Sequence, residues 1–159
     1  METNLPTRIL RHKRENLKKC SLRGLEGRSD VEFFTYPTSI LPDSGSYLLL
    51  SMNGQELSLK DRGLGIFLID ATWRYAQTMM TQSNRHYPTI IRSLPSCFET
   101  AYPRRQLDCP DPSKGLASIE ALYLAYVILG KPPTGLLDNY YWKELFLEKN
   151  KSALLSFAN

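Results

Sequence analysis

Gly65-Ile66-Phe67-Leu68-Ile69-Asp70-Ala71-Thr72-Trp73 is apolar on four successive positions and then presents a carboxylate, a hydroxyl and an indole. An uninterrupted apolar run of this length suits a strand covered on both faces, as in a parallel sheet. The residues after it, Thr72 to Gln82, read as a helix that follows the strand directly. Working outward, Val31 to Tyr36 and Tyr47 to Met52 are two more β-rich runs, and Leu5 to Leu10 and Thr89 to Leu94 are shorter strand candidates beside prolines. Ser118 to Leu129 reads as a helix with Ser118 as N-cap and Gly130 and Pro132 beyond its end. Leu136 to Lys149 reads as a further helix, with Tyr140, Trp142, Leu145 and Phe146 among its apolar positions. Strands alternating with helices predict an α/β domain with a mainly parallel sheet. In such sheets ligands bind outside the carboxyl ends of the strands, which directs attention to Asp70.

The chain has 159 residues, 42% hydrophobic and 23% charged, with no repeat and no linker-like tract, so residues 1–159 form one domain. A chain of this size buries enough apolar surface to fold without disulfide or metal support. Its net charge of +4 is unevenly spread: the first 28 residues carry eight Lys or Arg against three acids, leaving the rest of the chain at −1. A basic arm of about 28 residues on a near-neutral body is an electrostatic footprint for a polyanion, and it is equally the pattern of a solvated terminus.

The three cysteines, Cys20, Cys97 and Cys109, form no C-x-x-C pair, and His12 and His86 do not complete a metal-ligand set. Free, mostly buried thiols in a reducing cytoplasm are expected. The longest apolar run, Ala121 to Leu129, is too short for a bilayer span, so no membrane association is expected. No P-loop, G-x-G-x-x-G, H-E-x-x-H or G-x-S-x-G is present, which removes the commonest triphosphate, dinucleotide, zincin and serine-hydrolase readings.

Three constellations carry the remaining chemistry. Asp70 and Thr72 at the strand end either cap the following helix or face a ligand, where a carboxylate serves as a base or orients a proton donor. In Lys114-Gly115-Leu116-Ala117-Ser118-Ile119-Glu120-Ala121, small residues before a helix let backbone approach a ligand, and Glu120 in the first turn suits the helix dipole. Between them, Arg92 to Ser96 and Ala101 to Arg105 are rich in Pro and Arg and suit a phosphate backbone or a solvated connector.

The order of these pieces resembles one family. Lys19-Cys20-Ser21, Leu57-Ser58-Leu59-Lys60-Asp61, Asp70-Ala71-Thr72-Trp73, Arg92-Ser93-Leu94-Pro95, Leu116 to Ala121 and the Trp142-containing tail from Tyr141 to Asn150 resemble the small-subunit rRNA aminocarboxypropyltransferases of archaea and eukaryotes. The likeness runs from about Arg14 to Asn150 and rests on order and spacing. A sister family, the DTW-domain tRNA-uridine aminocarboxypropyltransferases, shares the strand-end acid and the Ser-x-Glu-Ala pattern, and the spelling Asp-Ala-Thr-Trp is nearer to it. The sister's N-terminal cysteine cluster is absent.

The resemblance implies a SPOUT-like α/β fold whose C-terminal half, about residues 65–150, forms a trefoil knot that binds S-adenosylmethionine. It implies cofactor contacts at Ser21, Ile69, Trp73, Leu94 and Ser118 and a catalytic role for Asp70. The expected reaction moves a 3-amino-3-carboxypropyl group to N3 of a uridine or pseudouridine in rRNA, with Arg11, Lys13, Arg14, Arg104 and Arg105 against the RNA. The alternatives are the same transfer to tRNA, methyl transfer within the same fold, and a non-catalytic ribosome-assembly factor. No metal is expected; a monomer is slightly favoured over an oligomer.

Overall fold

In the computed structural model, which describes residues 5–14, 21–37, 41–71, 78–79, 87–103 and 115–157, the chain builds a five-stranded sheet. The strands are β1 (Thr7–His12), β2 (Val31–Tyr36), β3 (Tyr47–Glu56), β4 (Gly65–Asp70) and β5 (Ile90–Ser93), in the order β2-β1-β4-β3-β5. All four pairings are parallel. A single 3₁₀ turn, Leu59–Asp61, precedes β4. Helices α1 (Ser118–Leu129), α2 (Lys143–Lys149) and α3 (Lys151–Ser156) follow the sheet. The helix expected over residues 72–82 lies outside the described residues apart from Thr78 and Met79, which are helical.

Strand β4 is central, and its composition explains why. Successive side chains of a strand point to opposite faces, so a run with no polar residue needs cover on both. Ile66 and Leu68 pack on one side with Ile9, Leu48, Leu122 and Ile128, while Phe67 packs on the other with Leu10, Leu49 and Met79. Gly65 is required at the start of the strand, because a Cβ there would collide with the ring of Tyr47. That ring carries the Arg8 guanidinium 4.1 Å from its centroid, and its hydroxyl donates to the carbonyl of Pro6 at 2.7 Å.

Strand β3 runs four residues further than the sequence predicts, because it leaves the β5 ladder and rejoins it. Leu50 and Gln55 both register with Arg92, so residues 51–54 form an excursion between them. Gly54 permits the return, at φ +99° and with the Ile91 carbonyl 2.8 Å from where a Cβ would stand. The excursion brings Asp61 to Arg92, whose Nε donates to both carboxylate oxygens at 3.2 and 3.1 Å. Two of the sequence motifs, Leu57 to Asp61 and Arg92 to Pro95, are thereby joined by an ion pair.

Two expectations are corrected. The helix expected over residues 136–149 begins only at Lys143. From Pro133 onward the chain makes successive three-residue turns, with Leu136, Asp138, Tyr140 and Lys143 N–H groups donating to Pro133, Gly135, Leu137 and Tyr140 carbonyls. This path buries Leu136, Leu137 and Tyr140 together, which their near-helical spacing imitates. Ser118 is not the N-cap of α1; Ala117 takes that position. Of the three thiols expected to be mostly buried, Cys97 is exposed, and Cys20 and Cys109 lie outside the described residues.

Candidate active site at the carboxyl edge of the sheet

Because the strands are parallel, their carboxyl ends share one edge, where His12, Tyr36, Asp70 and Ser93 close β1, β2, β4 and β5. Arg11 and Asp70 are register partners across β1 and β4, so their side chains leave the sheet on the same face. Arg11 Nε donates to Asp70 Oδ2 at 3.1 Å. On the other side of the carboxylate, the Ser118 hydroxyl donates to Oδ1 at 3.0 Å. Asp70 is therefore held between a strand and the first residue of α1, with its side chain only 5% exposed.

Arg11 is itself enclosed. Its side chain is 12% exposed, its guanidinium sits 4.5 Å from the Phe33 ring centroid, and it approaches Glu26 at 3.5 Å. Burial pushes the Glu26 carboxyl upward, but N–H bonds from its own backbone and Gly24, together with Arg11, outweigh that and hold it below its ordinary range. Arg11, expected against RNA, is thus turned into the protein as the partner of two carboxylates. Lys13 and Arg14, expected beside it, are exposed.

Of the residues implied as cofactor contacts, Ser21 and Ser118 meet at α1: Ser21 Oγ accepts from the Ile119 N–H at 3.1 Å, supplying from a distant segment the cap that Ala117 lacks. Leu94 is half-buried and, like Leu116, packs against the main hydrophobic core. Ile69 directly precedes Asp70 on β4, with its side chain on the opposite face of the sheet. Trp73, Arg104 and Arg105 lie outside the described residues.

The roles of several residues of the site escape a reading of the sequence. Glu120 is fully buried and accepts four hydrogen bonds, and Asn150 grips the peptide at Glu99. Glu120 had a signal: α1 has one charged residue among its twelve, and a helix apolar on all sides is buried on all sides. Asp61 had a local one in Ser58-x-x-Asp61, which forms a capping box, whereas the approach of Glu26 to Arg11 depends on which segments the fold brings together.

His12, at the end of β1, accepts the Arg14 N–H on Nδ1 at 3.1 Å and lies 5.6 Å from the Tyr36 ring. Burial, then the charges of Arg14 and Lys13, hold its pKa below the ordinary 6.5. With the folded-state pKa below the unfolded one, the unfolded chain binds more protons, so stability is lost as pH falls below about 6.5. An NMR titration is expected to place His12 below 6.5 and to find it moved upward when Lys13 and Arg14 are replaced by Ala. An unmoved value in that variant contradicts the electrostatic part of this account.

The setting suits a polar ligand that carries a flat ring: Leu94 and Leu116, both half-buried, give apolar surface close in sequence to the polar start of α1. Among the described residues no group of three or more His, Cys, Asp or Glu is placed to hold a metal ion, and no helix is long and apolar enough to cross a membrane.

A parallel α/β sheet with an acid at the end of its central strand agrees with the α/β fold and the strand-end acid that the motif resemblance implies. Comparison with known proteins shows what the chain is similar to. No family model matches the chain. It is 26% identical over 157 residues to the 16S rRNA aminocarboxypropyltransferase of Sulfurisphaera tokodaii, covering 95% of this chain and 85% of that protein. Among solved structures it matches the SAM-dependent rRNA:acp-transferase Tsr3 of Vulcanisaeta distributa, with a TM-score of 0.73 and 26% identity, over 97% of this chain and 83% of that one. The chain is therefore similar, through nearly its whole length, to the small-subunit rRNA aminocarboxypropyltransferases, as its motifs imply.

Proposed function

We propose that this protein is an S-adenosylmethionine-dependent enzyme that transfers a 3-amino-3-carboxypropyl group to N3 of a uridine or pseudouridine in small-subunit rRNA. The observation that carries the reading is the near full-length similarity to two proteins of that chemistry. When bound, S-adenosylmethionine supplies an electrophilic γ-carbon, from which methylthioadenosine departs as the N3–carbon bond forms.

The chain's own residues supply position and charge. N3 of the base is protonated near neutral pH, so the proton must leave for nitrogen to act as a nucleophile. Asp70 accepts that proton, a contribution of about 10²–10⁴-fold for general-base catalysis. Arg11 and Ser118 fix the carboxylate so that no reorientation is needed during the reaction. Ser21, Ile69, Trp73, Leu94 and Ser118 line the cofactor site, mostly through backbone groups apart from the Trp73 indole. Lys13 and Arg14, with Arg104 and Arg105, face the RNA phosphates, and Arg11 passes from that group to the support of Asp70. The target base leaves its stack to reach the carboxyl edge, at lower cost from a loop than from a duplex.

The same reading gives the chain a SPOUT-like fold with a knotted C-terminal half, a cytoplasmic location and a monomeric working form. Mass spectrometry of nucleosides from total rRNA and total tRNA of a strain lacking the protein tests the substrate. Loss of an aminocarboxypropyl nucleoside from rRNA is expected. Its loss from tRNA alone transfers the activity to the sister substrate, and intact nucleosides in both overturn the reading.

A further inference from the structure

We propose that Glu120 is a positioning residue that locks the two cofactor loops to one another, an inference that rests on the functional reading above. Its carboxylate is fully buried. Oε1 accepts from the Thr100 hydroxyl at 2.6 Å and the Ala117 N–H at 2.7 Å. Oε2 accepts from the Ala101 N–H at 2.8 Å and the Tyr140 hydroxyl at 2.9 Å. Among the described residues no Lys, Arg or His forms a salt bridge with it.

A buried carboxylate satisfied only by neutral donors is an expensive way to pack a helix. Desolvation penalises the charge heavily, and an apolar residue of similar volume would fill the same space at less cost. What the carboxylate gives in return is directional: four convergent charge-assisted hydrogen bonds from three separate segments. Those segments are the ones that matter for the site. Thr100 and Ala101 continue the loop that begins at Leu94, and Ala117 directly precedes Ser118, the donor to Asp70.

The loop is held from its other side as well. Asn150, at the junction of α2 and α3, accepts the Glu99 N–H at 2.7 Å and donates to the Glu99 carbonyl at 2.8 Å, while Lys149 Nζ donates to the Thr100 carbonyl at 3.1 Å. The backbone of Glu99–Ala101 is thus gripped by α1 and by the C-terminal helices. Glu120 hydrogen-bonds both to this loop and to the residue that precedes α1. Asp70 keeps its independent tether to Arg11 on β1, so loosening Glu120 spoils the cofactor loops before it spoils the acid.

The test uses the full chain, calorimetric titration with S-adenosylmethionine, and initial rates on rRNA. Thr100→Val removes one donor to Glu120, Thr100→Ser retains it, and Glu120→Gln places an amide against N–H donors. Thr100→Val and Glu120→Gln are expected to weaken cofactor binding about tenfold, the scale of one hydrogen bond to a charged group, and to raise KM for the cofactor in parallel. Turnover at saturating cofactor should stay within about twofold, and Thr100→Ser should bind like the parent. If Glu120→Gln fails to fold, the Thr100 pair carries the test. Unchanged affinity in Thr100→Val, or failure of Thr100→Ser to restore it, overturns the inference while leaving the functional reading intact. A parent protein that binds no S-adenosylmethionine overturns both.

Discussion

Asp70→Asn is expected to bind S-adenosylmethionine as the parent does and to turn over about a hundredfold more slowly, within the range for loss of a general base. The substitution is nearly isosteric, and its surroundings accept it. The amide oxygen can keep the hydrogen bond from Arg11 Nε, and the Ser118 hydroxyl, which now donates to Oδ1, can rotate to accept from the new NH₂ group. Geometry is therefore preserved while the proton acceptor is lost, so turnover should fall with little change in cofactor affinity. Rapid-quench measurement of a single turnover on rRNA checks this at the chemical step. A rate unchanged within twofold removes Asp70 from the chemistry and leaves it a structural cap.

Arg11→Ala is expected to destabilise the fold by about 3 kcal/mol, the lower end of the cost of removing one partner of a buried ion pair. It leaves Asp70, with its 5% exposed side chain, without its guanidinium, and it strips the cation from the face of Phe33. Urea denaturation reads the loss as a lower midpoint. The double variant Arg11→Ala/Asp70→Asn should recover part of it, because the carboxylate that was left unpaired is gone; strict additivity of the two single effects contradicts the pairing. The same variants separate Arg11 from its neighbours on the arm. Replacing Lys13 and Arg14 by Ala should flatten the salt dependence of RNA binding by about one unit of slope for each phosphate that is no longer neutralised, whereas Arg11→Ala should leave that slope in place.

The contrast between Arg11 and its neighbours marks what the sequence can disclose. Strand β4 is legible because Ile66 to Ile69 has no polar residue and so requires cover on both faces. A parallel sheet follows from that, and with it the special position of Asp70. The partner of Asp70 is not legible, because the two residues are distant in the chain and meet only when β1 lies beside β4 in register. Charge composition places Arg11 in a basic arm; strand order turns it inward.

The C-terminal third fails for a different reason. Leu136, Leu137 and Tyr140 have spacings that serve a helix, yet Gly135 takes φ +84° and the following N–H groups bond three residues back. Burial of the same side chains is achieved by turns, leaving the Tyr140 hydroxyl aimed at Glu120. Ser118 shows the same competition on a smaller scale. A serine at a helix start is a sound cap from local rules, but here its hydroxyl goes to Asp70 and the capping passes to Ser21. Local rules place these residues at the correct edge of the molecule, and tertiary partners decide what each one does there.

The central claim is that the reaction breaks the bond to the γ-carbon and not the bond to the methyl group. Incubating the purified full chain with S-adenosylmethionine and rRNA from a strain lacking the protein, followed by mass spectrometry of both the small-molecule products and the nucleosides, tests this most directly. Methylthioadenosine in stoichiometric amount with an aminocarboxypropyl nucleoside is the predicted result. S-adenosylhomocysteine with a methylated nucleoside, or no product from either path, contradicts it.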